Sequence, residues 1–290
     1  MKILTLNCHT TTECDSKKQM AAIVDVIVSE KITSFCLQEV KQERTGRIVD
    51  HSVLKKLSFI EAQEGEVQIR ESNFAFLLQK ELRKVKSNFS WTWADSYEED
   101  EANIGLAIFS KISFSAVKTK MLTRDLVHKG RCKRRSVAVC LENSQVLVNV
   151  HFSEQYNQFL LEWGNLIKWI KEIKKENVLF VMGDFNIDAE SNRIGYKKLC
   201  EYFQDTYMAA LSRGDGLTVR GAVKGWQDSK IGKRIDYILA QPAQSIISSR
   251  IYFEGDLTPR ISSHAGVVIE TDDVHCNEGF ANAASMSMWN

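Results

Sequence analysis

Acids, amides and imidazoles stand in this chain directly behind short apolar runs, and that placement is its first chemical signal. Lys2 to Leu6 leads into Asn7, and Phe35-Cys36-Leu37 leads into Gln38-Glu39. Val146 to Val148 leads into Asn149-Val150-His151, and Val178 to Met182 runs into Gly183-Asp184-Phe185-Asn186. Further on, Asp236 sits inside Ile235-Asp236-Tyr237-Ile238-Leu239, and Ser262-Ser263-His264 precedes a last apolar run. Polar residues at strand ends converge at one sheet edge, where loops on a rigid scaffold carry function. Carboxylate and amide oxygens gathered there suit a hard divalent cation, Mg²⁺ or Mn²⁺. An acid within an apolar strand, as at Asp236, must be paired or functional once buried. Each residue also has a plain reading: Glu39 as a solvated strand end, Asn7 or Gly-Asp-Phe-Asn as turn chemistry, His264 as a satisfied core histidine. The ensemble is more specific than any member.

The elements that must position these groups follow from hydrophobic periodicity. Lys2 to Asn7 reads as a strand, Ser16-Lys17-Lys18-Gln19 has the form of a capping box, and Met20, Ile23, Val24, Ile27 and Val28 mark the inward face of a helix. A strand over Ile32 to Gln38 completes a strand-helix-strand unit, right-handed if the two strands are parallel neighbours. Phe74, Leu77, Leu78 and Leu82 predict a helix, and Phe89 to Trp93 alternates like a strand. Strands are expected at Ile104 to Phe109, Ser136 to Leu141, Val146 to Phe152, Val178 to Met182, Arg234 to Ala240, Ser249 to Phe253 and Ala265 to Glu270. A long amphipathic helix carries Phe159, Trp163, Leu166, Ile167, Ile170 and Ile173. The class is α/β with many strands.

Composition limits the function classes. The 290 residues carry 38 basic and 37 acidic side chains and 44% hydrophobic content, which excludes a disordered, collagen-like or membrane-spanning chain. Seven scattered cysteines without a Cys-x-x-Cys pair exclude a disulfide framework and a zinc ribbon; Cys36, Cys140 and Cys200 lie in apolar surroundings, as in a reducing cytoplasm. No signal-peptide core forms before Asn7, so a cytoplasmic location is expected. The balanced charge argues against general nucleic-acid affinity. One basic run, Lys129 to Arg135, reads as a solvated loop or a phosphate clamp. With two prolines and no linker, one domain over 1–270 with a tail over 271–290 is expected.

Taken in order, Thr5-Leu6-Asn7, Leu37-Gln38-Glu39, Gly105 to Ser110, Asn149-Val150-His151, Gly183-Asp184-Phe185-Asn186, Arg234-Ile235-Asp236-Tyr237 and Ser262-Ser263-His264 resemble the landmarks of the endonuclease/exonuclease/phosphatase superfamily, the DNase-I-like proteins. The resemblance spans residues 1 to about 270. It implies a four-layered α/β sandwich, two mostly antiparallel β-sheets face to face with helices outside, and a metal site at one edge; parallel pairing would then be local.

Carried residue by residue, the resemblance implies that Glu39 is the principal Mg²⁺ ligand and Asn7 a ligand or ligand-orienting amide. It makes Asp184 the group that positions or activates water, has Asn186 and His151 hold the phosphoryl oxygens, and pairs Asp236 with His264. It further implies direct hydrolysis of a phosphoester by water. One departure stands out: the superfamily pattern Ser-Asp-His appears as Ser262-Ser263-His264, so a carboxylate is missing, which predicts weaker Mg²⁺ binding or rescue by an acid such as Asp256. Secondary motifs (Glu71 to Phe74, Trp91-Thr92-Trp93, Gly216 to Val219, Gly225-Trp226, Ser248 to Gly255) are similar to the bacterial sugar-phosphate phosphatase branch. That branch carries an acid where Asn103 precedes Ile104-Gly105, and tryptophans where Phe152-Ser153 follow the histidine. The expected substrate is a phosphorylated small molecule, with Asn103, Arg131 and Arg135 as substrate contacts. Nucleic-acid cleavage and a disabled phosphate-binding scaffold are the alternatives. No membrane partner is expected, and the sequence indicates no protein partner.

Overall fold

The structure, a computed structural model, describes residues 1–9, 15–62, 67–123, 133–173, 177–220, 232–256 and 258–272. Its first half runs β1 (Lys2–Asn7), α1 (Ser16–Ser29), β2 (Ser34–Glu43), α2 (His51–Lys56), α3 (Phe74–Lys84), β3 (Ser90–Glu99), β4 (Ala102–Ser110), β5 (Phe114–Thr123) and β6 (Arg134–Leu141). The second half runs β7 (Val146–His151), α4 (Tyr156–Ile173), β8 (Leu179–Asp184), α5 (Arg193–Cys200), β9 (Gln204–Asp205), α6 (Thr206–Ala209), β10 (Ser212–Arg213), β11 (Asp236–Gln241), β12 (Ile246–Tyr252) and β13 (Gly266–Thr271). Seven strands form one sheet in the order β10-β12-β13-β1-β2-β4-β3, and six form the other in the order β5-β6-β7-β8-β11-β9.

Three apolar cores separate four layers, as the resemblance implied. Ile3, Cys36, Leu106, Val139, Leu147, Met182 and Val267 fill the space between the sheets. The face of the first sheet turned away from the second packs on α1 and α3 through Leu4, Phe35, Leu37, Ile23, Ile27 and Leu78. The outer face of the second packs on α4 and α5 through Val148, Val181, Phe159, Trp163 and Leu199. Alternating side chains send one set to each face, which is why the central strands read as continuous apolar runs.

Parallel pairing is local: β1 with β2, β7 with β8, and the short β10 with β12, while all other pairs are antiparallel. The first two pairs are joined through α1 and α4, so the strand-helix-strand expectation at the amino terminus holds. The helix cap does not follow its expected form. Asp15, not Ser16, caps α1, accepting from the Lys17 amide at 3.0 Å. Gln19 instead reaches across to the carbonyls of Cys8 and Ile261 at 2.6 and 3.0 Å, tying α1 to two segments that lead into the polar cluster.

Trp91 and Trp93 are buried in the core beneath the helices, their indole N–H groups donating to Leu57 and Val40 carbonyls at 3.0 and 3.2 Å, and of the two only Trp93 borders a cavity, one walled by Leu54, Phe59, Val67 and Ile69. Cys200 is exposed rather than set among apolar neighbours, while Cys36 is fully buried. The expectations for Gly225-Trp226, for Lys129 to Cys132 with Arg131, and for the tail past Asp272 fall outside the described residues.

Candidate active site

Sheet topology brings the last residues of β1, β7 and β8, the first of β11 and the middle of β2 to one edge of the sandwich; β2 does not end at Glu39, as its apolar run suggested, but continues to Glu43. Asn7 and Gln38 are paired in the β1–β2 ladder, and His151 with Asp184 and Asp184 with Asp236 in the β7–β8–β11 ladders. A buried polar bridge locks the two sheets beneath them. Gln38 donates to the Asn149 side chain at 2.7 Å, and the Asn149 amide donates to the carbonyls of Leu37 and Ala107 at 2.9 Å. A fully paired network of this kind rigidifies a core that apolar packing alone would leave free to slide. Gln38 and Asn149 therefore support the site without entering it.

Backbone geometry aims the next residues. The β2–β4 register slips between Leu37 and Val40, and Glu39 in that bulge has a φ of 52°. Asn186 has a φ of 51°, and its N–H donates to Asp184 Oδ1 at 2.9 Å. Such conformations cost on the order of 1–3 kcal/mol for a residue with a side chain and persist only when surroundings hold them. Gly183 has a φ of 145°, and a Cβ there would stand 1.9 Å from the Val150 carbonyl oxygen, so the glycine of Gly-Asp-Phe-Asn is required by close strand approach.

The cluster itself is continuous. Asn7 Nδ2 donates to Glu39 Oε1 at 3.0 Å and to Asp184 Oδ2 at 3.1 Å. His151 Nε2 lies 3.7 Å from Asp184 and 3.9 Å from Glu39. His264 Nε2 lies 3.8 Å from the same Asp184 oxygen, and its Nδ1 is 2.9 Å from Asp236 Oδ2. Asn186 turns its amide to the Phe152 carbonyl at 2.9 Å. The structure thus brings together Asn7, Glu39, His151, Asp184, Asn186, Asp236 and His264. Asn103 is buried on β4, paired with Gln42 on one side and Glu98 on the other, past the Glu39 bulge. Arg135 is also buried, its guanidinium donating to Thr119 on β5 at 3.2 Å.

Electrostatics sort the cluster into distinct protonation states. Burial raises the Glu39 carboxyl, but hydrogen bonds and charge from His9, His151 and Asn7 outweigh it and hold the group at about 2, firmly ionised. Burial and the Asp236 charge push Asp184 up to about 7. Burial works against the His264 cation, yet Asp236 and Asp184 raise it to about 10, so imidazolium stands between two carboxyls. Burial and the Arg134 charge drop His151 to about 3, which keeps that ring neutral. Differing environments give neighbouring groups separate proton-transfer roles.

Oxygen donors with a surplus of negative charge fit a divalent cation. Carboxylate oxygens of Asp184 and Asp236 lie within 4.8 Å of each other and of the His264 ring, which as an imidazolium is not itself a ligand, and Asp236 Oδ1 is buried with no hydrogen-bond partner among the described residues. Glu39 adds a carboxylate that stays ionised.

The sequence named Thr218 and Ser262 only as members of motifs, without their supporting roles, and left His9 and Arg134 without one. Thr218 Oγ accepts from the Ile235 and Asp236 amides, each at 3.2 Å, fixing the start of β11. Ser262 Oγ donates to the Asn7 carbonyl at 2.7 Å and accepts from the His264 amide at 3.1 Å. His9 Nδ1 lies 3.1 Å from Glu39. Arg134 rather than Arg135 reaches the site, its guanidinium 4.9 Å from the Tyr97 ring, which stands edge-on to His151 at 6.4 Å. Only the alternation of β6 could have separated the two arginines, since neighbours on a strand face opposite ways.

A two-sheet sandwich with these carboxylates, amides and imidazoles at one edge defines a hydrolase of phosphoester bonds. Residues 4–264 match the model of the Endonuclease/Exonuclease/phosphatase family, and the chain belongs to it. Solved structures of the same fold include an endonuclease/exonuclease/phosphatase family protein from Leptotrichia buccalis, 24% identical, covering 94% of this chain and 99% of that one at a TM-score of 0.79. A mannosyl-6-phosphatase from Bacteroides thetaiotaomicron is 14% identical over 94% and 99% of the two chains, with a TM-score of 0.63. A 3' phosphatase from Neisseria, bound to a product DNA hairpin, is 17% identical over 94% and 99%, with a TM-score of 0.61. No curated protein matches the sequence. No helix among the described residues is long and apolar enough to cross a membrane.

Proposed function

We propose that the chain is a Mg²⁺-dependent phosphatase acting on a phosphorylated small molecule such as a sugar phosphate. The observation that carries this reading is the unbroken chain Glu39–Asn7–Asp184–His264–Asp236, in which an ionised carboxylate, a carboxyl poised near neutrality and a charged imidazole stand in one contiguous cluster. Glu39 would hold Mg²⁺, its carboxylate oriented by the Asn7 amide, and the ion when bound would neutralise charge on the phosphoryl oxygens. A carboxyl raised to about 7 suits Asp184 to take a proton from the attacking water near neutral pH. His151, neutral, donates from Nε2 in the tautomer that carries its proton there, and Asn186 donates from its amide to the phosphoryl group. Asp236 holds the His264 imidazolium in place, and that cation offsets the charge gathering in the transition state.

Support for a small substrate comes from the rim. Tyr97, beside His151, begins the tip of the β3–β4 hairpin, where Glu98, Glu99, Asp100 and Glu101 follow in succession. A nucleic-acid backbone crossing that tip would meet four acids, of which Arg44 offsets Glu98 and Glu101 at 3.1 and 3.6 Å. The mannosyl-6-phosphatase of the same fold is in line with this choice. Nuclease activity is the second reading, favoured by Arg134 at the site and by the DNA-bound Neisseria phosphatase. Phosphate release from sugar phosphates and nucleotides, run beside cleavage of 3'-phosphorylated and abasic duplexes, separates the two. Turnover of sugar phosphates with intact DNA supports the phosphatase; the reverse pattern establishes the nuclease.

A further inference from the structure

Four neighbouring strands of the second sheet, β6, β7, β8 and β11, deliver Arg134, His151, Asp184 and Asp236 in that order to one edge. Val137 faces Asn149 in the antiparallel β6–β7 ladder, so the start of β6 stands level with His151. Three of the four belong to the hydrolytic cluster. Arg134, at the outer end of the row, is a cation beside it.

The Arg134 guanidinium is held in place but not neutralised. The Tyr97 ring backs it at 4.9 Å, and one terminal nitrogen donates to the Lys133 carbonyl at 3.1 Å. Its Nε is buried with no hydrogen-bond partner, and among the described residues no carboxylate forms an ion pair with it. Glu162 feels its charge, but the oxygens of that carboxyl are taken by the Ser153 amide and hydroxyl and by the Thr123 hydroxyl, at 2.7 to 3.2 Å. His151 feels Arg134 more strongly than it feels Glu39, whose carboxylate is 3.9 Å from its ring. A guanidinium with an open, desolvated donor calls for an acceptor-only partner, and phosphate oxygens match it.

Charge decides which phosphate gains most. A phosphomonoester carries about two negative charges above its second pKa of roughly 6, whereas a phosphodiester carries one. The His264 imidazolium and an ion at Glu39 serve either ester alike. The extra charge of the monoester needs a further cation, and at the other end of the row from His264 stands Arg134. We infer that Arg134 is a specificity-determining residue, which engages that extra charge and sets a phosphomonoester above a phosphodiester. This rests on the phosphatase reading and deepens it.

The test compares hydrolysis of p-nitrophenyl phosphate and bis(p-nitrophenyl) phosphate by the full chain in Mg²⁺ at about pH 8, where the monoester is doubly charged. In Arg134→Gln the monoester-to-diester ratio of kcat/KM is expected to fall about tenfold or more, as for the loss of one charge-assisted contact. Arg134→Lys keeps the charge and is expected to restore most of the ratio. A merely structural role would lower both rates alike and leave the ratio fixed. Arg134 is half-buried at the first position of its strand, and circular dichroism checks that the variants fold. Calorimetric titration with inorganic phosphate and with dimethyl phosphate gives a reading free of turnover: Arg134→Gln is expected to weaken the first about tenfold and the second about threefold or less. A ratio unmoved in Arg134→Gln, or equal losses in the glutamine and lysine variants, would overturn the inference. An unsubstituted protein that cleaves the diester alone would refute the phosphatase reading. One that prefers the monoester with a ratio unmoved in Arg134→Gln would refute the role of Arg134 alone, and if neither ester turns over, the two binding affinities decide it.

Discussion

Replacing Thr218 by valine removes one hydroxyl and nothing else of comparable size, yet two buried backbone donors depend on that oxygen. The Ile235 and Asp236 amides both reach it at 3.2 Å, and Ile235 and Asp236 are 0% and 2% exposed. Asp236 stands opposite Asp184 in the β8–β11 ladder, while the neighbouring bond runs from the Phe185 amide to the Ile235 carbonyl. In an antiparallel pair that pattern turns the Asp236 amide away from β8, toward Thr218. Leaving a buried donor unsatisfied costs about 1–3 kcal/mol, so two give about 2–5 kcal/mol once some relaxation is allowed. Thr218→Ser keeps the oxygen and loses one methyl, about 1 kcal/mol. Urea denaturation of the three proteins, compared at equal m-value, reads the difference directly. Activity should fall with stability in the valine variant, because Asp236 would no longer be fixed to hold His264. Equal midpoints for valine and serine would show that the hydroxyl does not carry β11, and the reasoning would be wrong.

Three further outcomes are expected. Gly183→Ala should fail to give soluble folded protein, since its Cβ would stand 1.9 Å from the Val150 oxygen in a conformation alanine disfavours; wild-type melting behaviour in that variant would count against the geometry. In EDTA, Asp184 at about 7 holds a proton that the unfolded chain releases near the ordinary 3.8, so its contribution is present below about pH 4 and lost as pH rises through 7. The melting temperature of the unsubstituted protein should therefore drop relative to Asp184→Asn between those limits, and parallel pH profiles would contradict it. Ser263→Asp should increase the stabilisation that Mg²⁺ gives in thermal melts, by adding a carboxylate next to His264; an unchanged shift would place position 263 outside the metal's reach.

Most of the candidate site was legible because its polar residues stand where apolar runs end. Asn7, Glu39, His151 and Asp184 each follow an apolar run, and topology needs only parallel β1–β2 and β7–β8 pairs to gather them. The supporting set was hidden for a physical reason. Thr218 and Ser262 stand in motifs the sequence did mark, but they and His9 act through groups distant in sequence, so their roles could not be read locally. Strand β5 went unread because it is an edge strand with Lys118 and Lys120 breaking its pattern, a usual device for blunting edges. Trp91 and Trp93 alternate like a strand, but their placement under the helices follows from the sheet's packing, which spacing cannot give.

The most direct measurement is phosphate release from a sugar-phosphate panel as Mg²⁺ is titrated, for the unsubstituted protein and for Glu39→Gln. A saturable Mg²⁺ dependence, abolished by EDTA and lowered about a hundredfold or more in rate or metal affinity by Glu39→Gln, is expected if Glu39 anchors the ion. Release that proceeds unchanged in EDTA, or in the glutamine variant, would contradict a metal-dependent phosphatase centred on Glu39.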